Sequence, residues 1–169
     1  TTLSHAGWQP IGDINRYFTG ILSGYDGEVS HTIADLCIDR SGEDYIGFFG
    51  MIDALATVTQ LNLENVRVKG KEYTGGLVGI SAGNIKYVNV TGQITGDKYT
   101  GGLVGASSGN ISHAHVTADV LGTNTVGGLI GWINFGSINK ASAAGTVTVN
   151  GDSPNRGGGF VGRFLIGSI

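Results

Sequence analysis

The chain of 169 residues holds 31 Gly and 2 Pro, is 14% charged, and sets 10 Lys plus Arg against 13 Asp plus Glu for a formal net charge of −3. Glycines that keep no three-residue period, with almost no proline, exclude collagen, and 40% apolar residues at low net charge exclude a disordered segment. The balance leaves no basic footprint for nucleic acid, and no apolar run reaches the roughly 18 residues that span a bilayer, so a soluble single folded unit is expected over 1–169.

In chain order, residues 1–44 are expected to form an N-terminal cap and first coil, with Ile33, Leu36 and Ile38 as its inward positions, and 45–169 the repeats. Tyr45 to Gly50 is a loose first copy of a block that recurs as YTGGLVG at 73–79 and 99–105, as TVGGLIG at 125–131 and as RGGGFVG at 156–162. Aligned on the last glycine, the copies end at Gly50, Gly79, Gly105, Gly131 and Gly162, at spacings of 29, 26, 26 and 31. After each block comes an apolar column opened by Val58, Ile85, Ile111 and Ile138, with apolar or small residues three and five places on, as in Leu61 and Leu63 or Val88 and Val90. This spacing reads as a short strand entered through a bend. A further column, Val66 to Val68, Gln93 to Thr95, Asp119 to Leu121 and Thr146 to Thr148, completes three short β segments per unit.

Three strands per 26-residue unit, no helical period and a unit too small to fold alone predict an all-β fold: a β-solenoid, most simply a β-helix, of about five coils. At about 4.8 Å per rung the rod would be about 24 Å long. The repeated glycines (Gly75, Gly76 and Gly79; Gly101, Gly102 and Gly105; Gly127, Gly128 and Gly131; Gly158, Gly159 and Gly162) are expected both to let the chain turn sharply and to let coils pack closely. The apolar positions between them are Leu77, Leu103 and Leu129. A phosphate-cradling loop fails on context, because no helix follows to offer its N-terminus. Thr57, Asn84, Asn110, Ser137 and Ser168 are predicted to form a polar turn ladder that bonds coil to coil inside the turns.

The GGLVG runs at 75–79 and 101–105 resemble the core of the GLUG motif, and the bounding segments Trp8-Gln9-Pro10-Ile11-Gly12, Phe18-Thr19-Gly20 and His31-Thr32-Ile33 through Leu36 are similar to the segments that open that family. The insertion Tyr25 to Ser30 departs from the family pattern and puts the geometry of the first coil in question. The resemblance covers Trp8 to Ile169 and implies a secreted or surface protein of bacterial or phage-like origin. Such repeats are similar to those of adhesins, filamentous-haemagglutinin-like exoproteins and the non-catalytic parts of immunoglobulin-A-cleaving metalloproteases. It transfers no catalytic residue. With Ile169 in register with Ile138 and Ile111, the chain is expected to be a segment of a longer exported polypeptide, or one completed by a neighbouring subunit.

Chemistry-bearing groups are few. His113 and His115 have the i, i+2 spacing of a metal pair, but the residue types in their columns vary as solvent-facing positions do. Asp35, Asp39, Glu43 and Asp44 could supply the two carboxylates of a glycan-cleaving groove, or form a solvated loop. Cys37, six residues after His31, reads as an outward structural thiol. The threonines at 74, 100, 123, 125, 146 and 148 do not form the repeated rows of an ice-binding face. The expected function is therefore a non-enzymatic structural or adhesive module of an exported surface protein; a self-assembling fibre subunit and a glycan-active β-helix enzyme are the alternatives. No cofactor or metal is expected. The expected partners are a host or neighbouring-cell surface protein or glycan, or further copies end to end. Candidate contact residues are Tyr73, Tyr99, Lys71 and Lys98 on the outward columns, the tyrosines alternatively forming a ladder that staples neighbouring coils.

Overall fold

A computed structural model describes residues 6–152 and 155–165. The described residues form 18 strands and no helix. The chain winds as a β-solenoid of about five turns, and its strands pair in parallel with their equivalents in neighbouring coils, the central ones on both sides.

The first coil contributes β1 (Ile21–Ser23), β2 (Thr32–Ala34) and β3 (Cys37–Asp39), and the second β4 (Phe49–Ile52) and β5 (Thr57–Lys69). Then come β6 (Glu72–Gly75), β7 (Val78–Ser81) and β8 (Asn84–Thr95), and after them β9 (Lys98–Gly101), β10 (Val104–Ser107) and β11 (Ile111–Gly122). The last described turns hold β12 (Val126–Gly127), β13 (Ile130–Ile133), β14 (Ile138–Asn139), β15 (Ser142–Ala144), β16 (Val147–Val149), β17 (Gly157–Gly158) and β18 (Val161–Phe164). Three stacks result. One is nine-stranded and built on β5, β8 and β11; one is five-stranded, in the order β18-β13-β10-β7-β4; one is four-stranded, in the order β17-β12-β9-β6.

Two sequence expectations need correcting. The second and third columns are not separate strands in the central coils: they fuse into single strands of 13, 12 and 12 residues (β5, β8 and β11), and the glycine block supplies two further strands to the coils of β8 and β11 and one, β4, to the coil of β5. The repeated glycines make only some of the turns: Gly76, Gly102 and Gly128 sit at the bend between the two strands of their blocks, as expected, but not in a left-handed conformation. None of Gly75, Gly76, Gly79 or their equivalents one and two coils on has positive φ. The other bends belong to columns of left-handed residues that are mostly not glycine: Tyr45, Tyr73, Tyr99 and Thr125; Gln60, Tyr87, His113 and Lys140; and Asp35 and Asn65, followed by Gly92 and Gly145.

What the repeated glycines provide is clearance. A Cβ on Gly76 would lie 2.5 Å from the carbonyl oxygen of Gly102. A Cβ on Gly105 or Gly131 would lie 2.6 or 2.7 Å from the carbonyl oxygen of the equivalent glycine one coil earlier, Gly79 or Gly105. A real side chain does not come that close to backbone, so the coil spacing of a parallel sheet requires glycine there.

The inward columns meet in one apolar core. Val58, Ile85 and Ile111 lie in register with Ile138, Leu61 with Val88, Leu63 with Val90, and Val68 with Ile94. Val58, Leu63, Ile85, Val88, Val90 and Ile94 are wholly buried. Each buried aliphatic side chain contributes about 2 kcal/mol, which a lone coil cannot collect because its core is open above and below.

The first coil is shifted from the expected register. Ile33 lies beside Leu63 and Ile38 beside Val68, while Leu22 takes the place beside Val58. The insertion Tyr25 to Ser30 is the cause. It sits inside the column, between β1 and β2, where the later coils continue without a break, and closes on itself through an antiparallel bridge between Tyr25 and Ser30. The Asp26 carboxylate accepts the Glu28 and Val29 amides at 2.9 and 3.0 Å and lies 2.9 Å from His31 Nε2, and those bonds hold its pKa well below the usual carboxylate range. Upstream, Gly7 bridges antiparallel to Ile38, and Trp8 stacks on Phe48 at 5.1 Å while its indole Nε1 donates to the Phe48 carbonyl.

Candidate interaction surface

At the bend before each glycine block, the left-handed conformation costs a non-glycine residue about 1–2 kcal/mol. Tyrosine offsets much of that by stacking: Tyr45 lies on Tyr73 at 5.3 Å and 10°, and Tyr73 on Tyr99 at 5.0 Å and 24°. Each such pair contributes about 0.5–1.5 kcal/mol beyond burial. Where the fifth coil places Thr125 in this column, Trp132 from β13 takes over and meets Tyr99 at 5.1 Å. The Arg163 guanidinium then lies 5.5 Å from the Trp132 ring centroid. An aromatic column thus runs along the rod. Burial, followed by the neighbouring Tyr99, Glu72, Tyr45 and Asp44, pushes the Tyr73 hydroxyl pKa up.

Of the four candidate contact residues, Tyr73 and Tyr99 are half-buried within this column, with Tyr73 packed against tyrosines from both neighbouring coils. Lys98 places its Nζ 4.9 Å from the Tyr99 ring centroid, whereas Lys71 is exposed. A second ring pair, Tyr87 and His113, stacks at 4.5 Å on the next bend.

The polar column holds hydrogen bonds from coil to coil: Asn110 Nδ2 donates to Asn84 Oδ1 at 3.4 Å, and Ser137 Oγ donates to Asn110 Oδ1 at 2.9 Å. Asn110 is exposed and Asn84 half-buried, so this ladder runs along the surface rather than inside the turn as expected. Its last predicted member, Ser168, and the expected register of Ile169 lie outside the described residues. A parallel ladder one column on joins Asn89 Nδ2 to Asn62 Oδ1 at 2.7 Å.

Candidate chemical groups are drawn into separate structural contacts. Asp35 accepts from Asn65 Nδ2 at 2.5 Å, Asp39 pairs with Lys69 at 3.2 Å, Glu43 pairs with Arg40 at 2.9 Å, and Asp44 accepts the Glu72 amide at 3.1 Å. His113 stacks on Tyr87 of the preceding coil, while His115 Nδ1 lies 2.7 Å from Ser142 Oγ of the following one. Cys37 is exposed beside Arg67. Thr74, Thr100 and Thr125 are buried and so belong to no surface array.

Several hollows interrupt the surface. A wide, open trough of about 480 Å³ crosses the nine-stranded face between Gln93, Asp119 and Thr146. A smaller cleft of about 170 Å³ lies beside the aromatic column, lined by Tyr73, Ile80, Ala106, Ser107, Trp132 and neighbouring residues. The sequence reading singled out neither Trp132 nor Ala106. The signal was present: the position after each block's last glycine reads Met51, Ile80, Ala106, Trp132 and Arg163, and a column that changes size this abruptly cannot have a smooth outer face.

Halomucin of the archaeon Haloquadratum walsbyi is 40% identical to this chain over 93 residues, which is 53% of this chain and 1% of that protein. No family model matches the chain. No solved structure matches it.

Proposed function

We propose that this chain is a non-enzymatic display module of an exported surface protein, a GLUG-type repeat solenoid whose rigid coils present outward side chains to a glycan or protein on another cell. The observation that carries this reading is the alignment of outward columns from coil to coil, as in Arg67, Gln93 and Asp119, or Lys69, Thr95 and Leu121. A surface ordered in this way holds the same positions at a fixed spacing along the rod and loses little side-chain freedom on contact. The use of the candidate acids in separate structural bonds supports display over catalysis. The partial similarity to halomucin supports a place outside the cell, and because that relative is archaeal while the motif resemblance implies bacteria, the reading applies to either envelope.

The test is a glycan array probed with the labelled full chain, followed by a reducing-end assay on every glycan bound. Retention without release of reducing ends is the expected result. New reducing ends that disappear in Asp39→Asn or Glu43→Gln variants would overturn it in favour of an enzyme.

A further inference from the structure

The bend at the start of each glycine block lays phenol over phenol. Tyr45, Tyr73 and Tyr99 share one left-handed backbone conformation, with φ of 62, 57 and 57°, and the residues that follow them pair in parallel, Ile46 with Thr74 and Thr74 with Thr100. A repeat of this kind superposes side chains by translation along the rod, so equivalent ring carbons of successive tyrosines face one another. The rings are 5.3 Å and 10° apart between Tyr45 and Tyr73, and 5.0 Å and 24° apart between Tyr73 and Tyr99. All three are half-buried, which leaves an edge of each within reach of a small reagent.

Stacking does not by itself use the hydroxyls. A phenylalanine ring would stack as well, and among the described residues the tyrosine hydroxyl that donates a hydrogen bond to the protein is that of Tyr25, outside the column. What a hydroxyl adds to such a ring is chemistry: a phenol gives up one electron and its proton to form a radical whose unpaired spin is shared by the oxygen and the ring carbons ortho to it. Cys37 is the single cysteine of the chain, so no disulfide within it can fasten one coil to the next.

We propose that Tyr73 is a cross-linking site, at which a diffusible one-electron oxidant joins its ring to that of Tyr45 or Tyr99 and ties neighbouring coils covalently. Each of the two tyrosines loses one electron and its phenolic proton, and the two radicals couple through a new carbon–carbon bond between positions ortho to the hydroxyls. The hydrogen on each of those carbons then moves to the adjacent oxygen, which restores two phenols; the oxidant has removed two electrons and two protons in all. Closing the gap takes a tilt of roughly 25° at each ring, within the give of a side-chain torsion, and no backbone movement. Rings already held face to face meet at an effective concentration that separate molecules do not reach. This modification goes beyond the display reading and does not depend on what the rod presents.

The experiment oxidises the full chain with tris(bipyridyl)ruthenium(III), generated by light and persulfate. Dityrosine fluorescence is expected in a monomer lighter by two hydrogen atoms per link, and its yield per chain should hold on dilution, as for a reaction within one molecule. Trypsin separates the three tyrosines into peptides 41–67, 72–86 and 99–140, and the link should join 72–86 to either of the others. Tyr73→Phe keeps a ring in the stack but leaves Tyr45 and Tyr99 two coils, about 10 Å, apart; it should lower the yield at least about fivefold. Tyr45→Phe should confine the link to 72–86 with 99–140, and Tyr87→Phe, whose ring stacks on His113 instead of a second phenol, should leave the yield unchanged. The linked chain should unfold at a higher urea midpoint than the unlinked one, because the link closes a loop in the unfolded state. The proposal is overturned if the yield falls away on dilution, if Tyr73→Phe cross-links as the parent does, or if the links run through Tyr17, Tyr25 or Tyr87 in place of the column.

Discussion

The coil of β11 and the coil of β14 to β16 run the same course through the solenoid, yet they are buried very differently. Val116 and Val120 are each 1% exposed, whereas Ala143 and Val147, directly beside them in register, are only half-buried. The first coil repeats the contrast: Ile33 is half-buried next to a fully buried Leu63. β11 pairs with β8 on one side and with β14 to β16 on the other, while the described residues pair β15 and β16 with β11 alone. A column position therefore takes its burial from the number of coils stacked against it, and its side chain sets only how much apolar surface is available to bury.

The sharpest way to break this contrast is to obstruct stacking itself. Gly102→Ala would set a methyl group against the Gly128 carbonyl and 2.6 Å from Val116 Cγ1, whereas Gly159→Ala, in a later copy of the block, meets nothing within 4 Å. The first change should cost at least about 3 kcal/mol and the second under about 0.5 kcal/mol, both read from urea unfolding midpoints. Equal losses would refute clearance as the role of the repeated glycines.

A milder comparison truncates one column at two neighbouring heights. Val120→Ala should destabilise by about 2 kcal/mol and Val147→Ala by less than about 1 kcal/mol. Hydrogen exchange on the amides of β11 separates the two, and indistinguishable protection would show that the outer coil is as well packed as the central one.

The smallest effect tests the first coil against the rest. Asp26 has a depressed pKa in the fold, so the folded chain binds that proton more weakly than the unfolded chain does. Its stabilising contribution is present above the unfolded value of about 3.9 and fades as pH falls below that and through the folded value. Asp26→Asn should remove this slice of the acid dependence and raise proteolytic nicking in the segment 25–31. An unchanged acid profile for the loop amides would show that the Asp26 contacts do not order the insertion.

Much of the architecture was legible because stacking writes itself into the chain as a period. The 26-residue recurrence placed Val58, Ile85, Ile111 and Ile138 in one column, and the structure pairs them in that order. The first coil was misregistered because Tyr25 to Ser30 interrupts that period, and spacing alone does not tell on which side of an insertion the column resumes. The bend inside each glycine block was legible, but the bends at Tyr73, Tyr87, Tyr99 and His113 were not, because left-handed φ is usually a glycine property, while here these residues adopt it with rings stacked from coil to coil. Of the candidate surface, the tyrosine column was visible as repetition. The Ala106 hollow was not, since it arises from a departure from repetition.

By itself the sequence determined that this chain stacks: a unit too short to bury its own core must repeat, and the apolar columns and glycine blocks mark where each copy meets the next. Only the tertiary structure decided which residues turn the chain, which coils are covered on both sides and where a cleft opens between Ala106 and Trp132. Those properties belong to contacts between residues about 26 positions apart, and they depend on how neighbouring coils differ as much as on what they share.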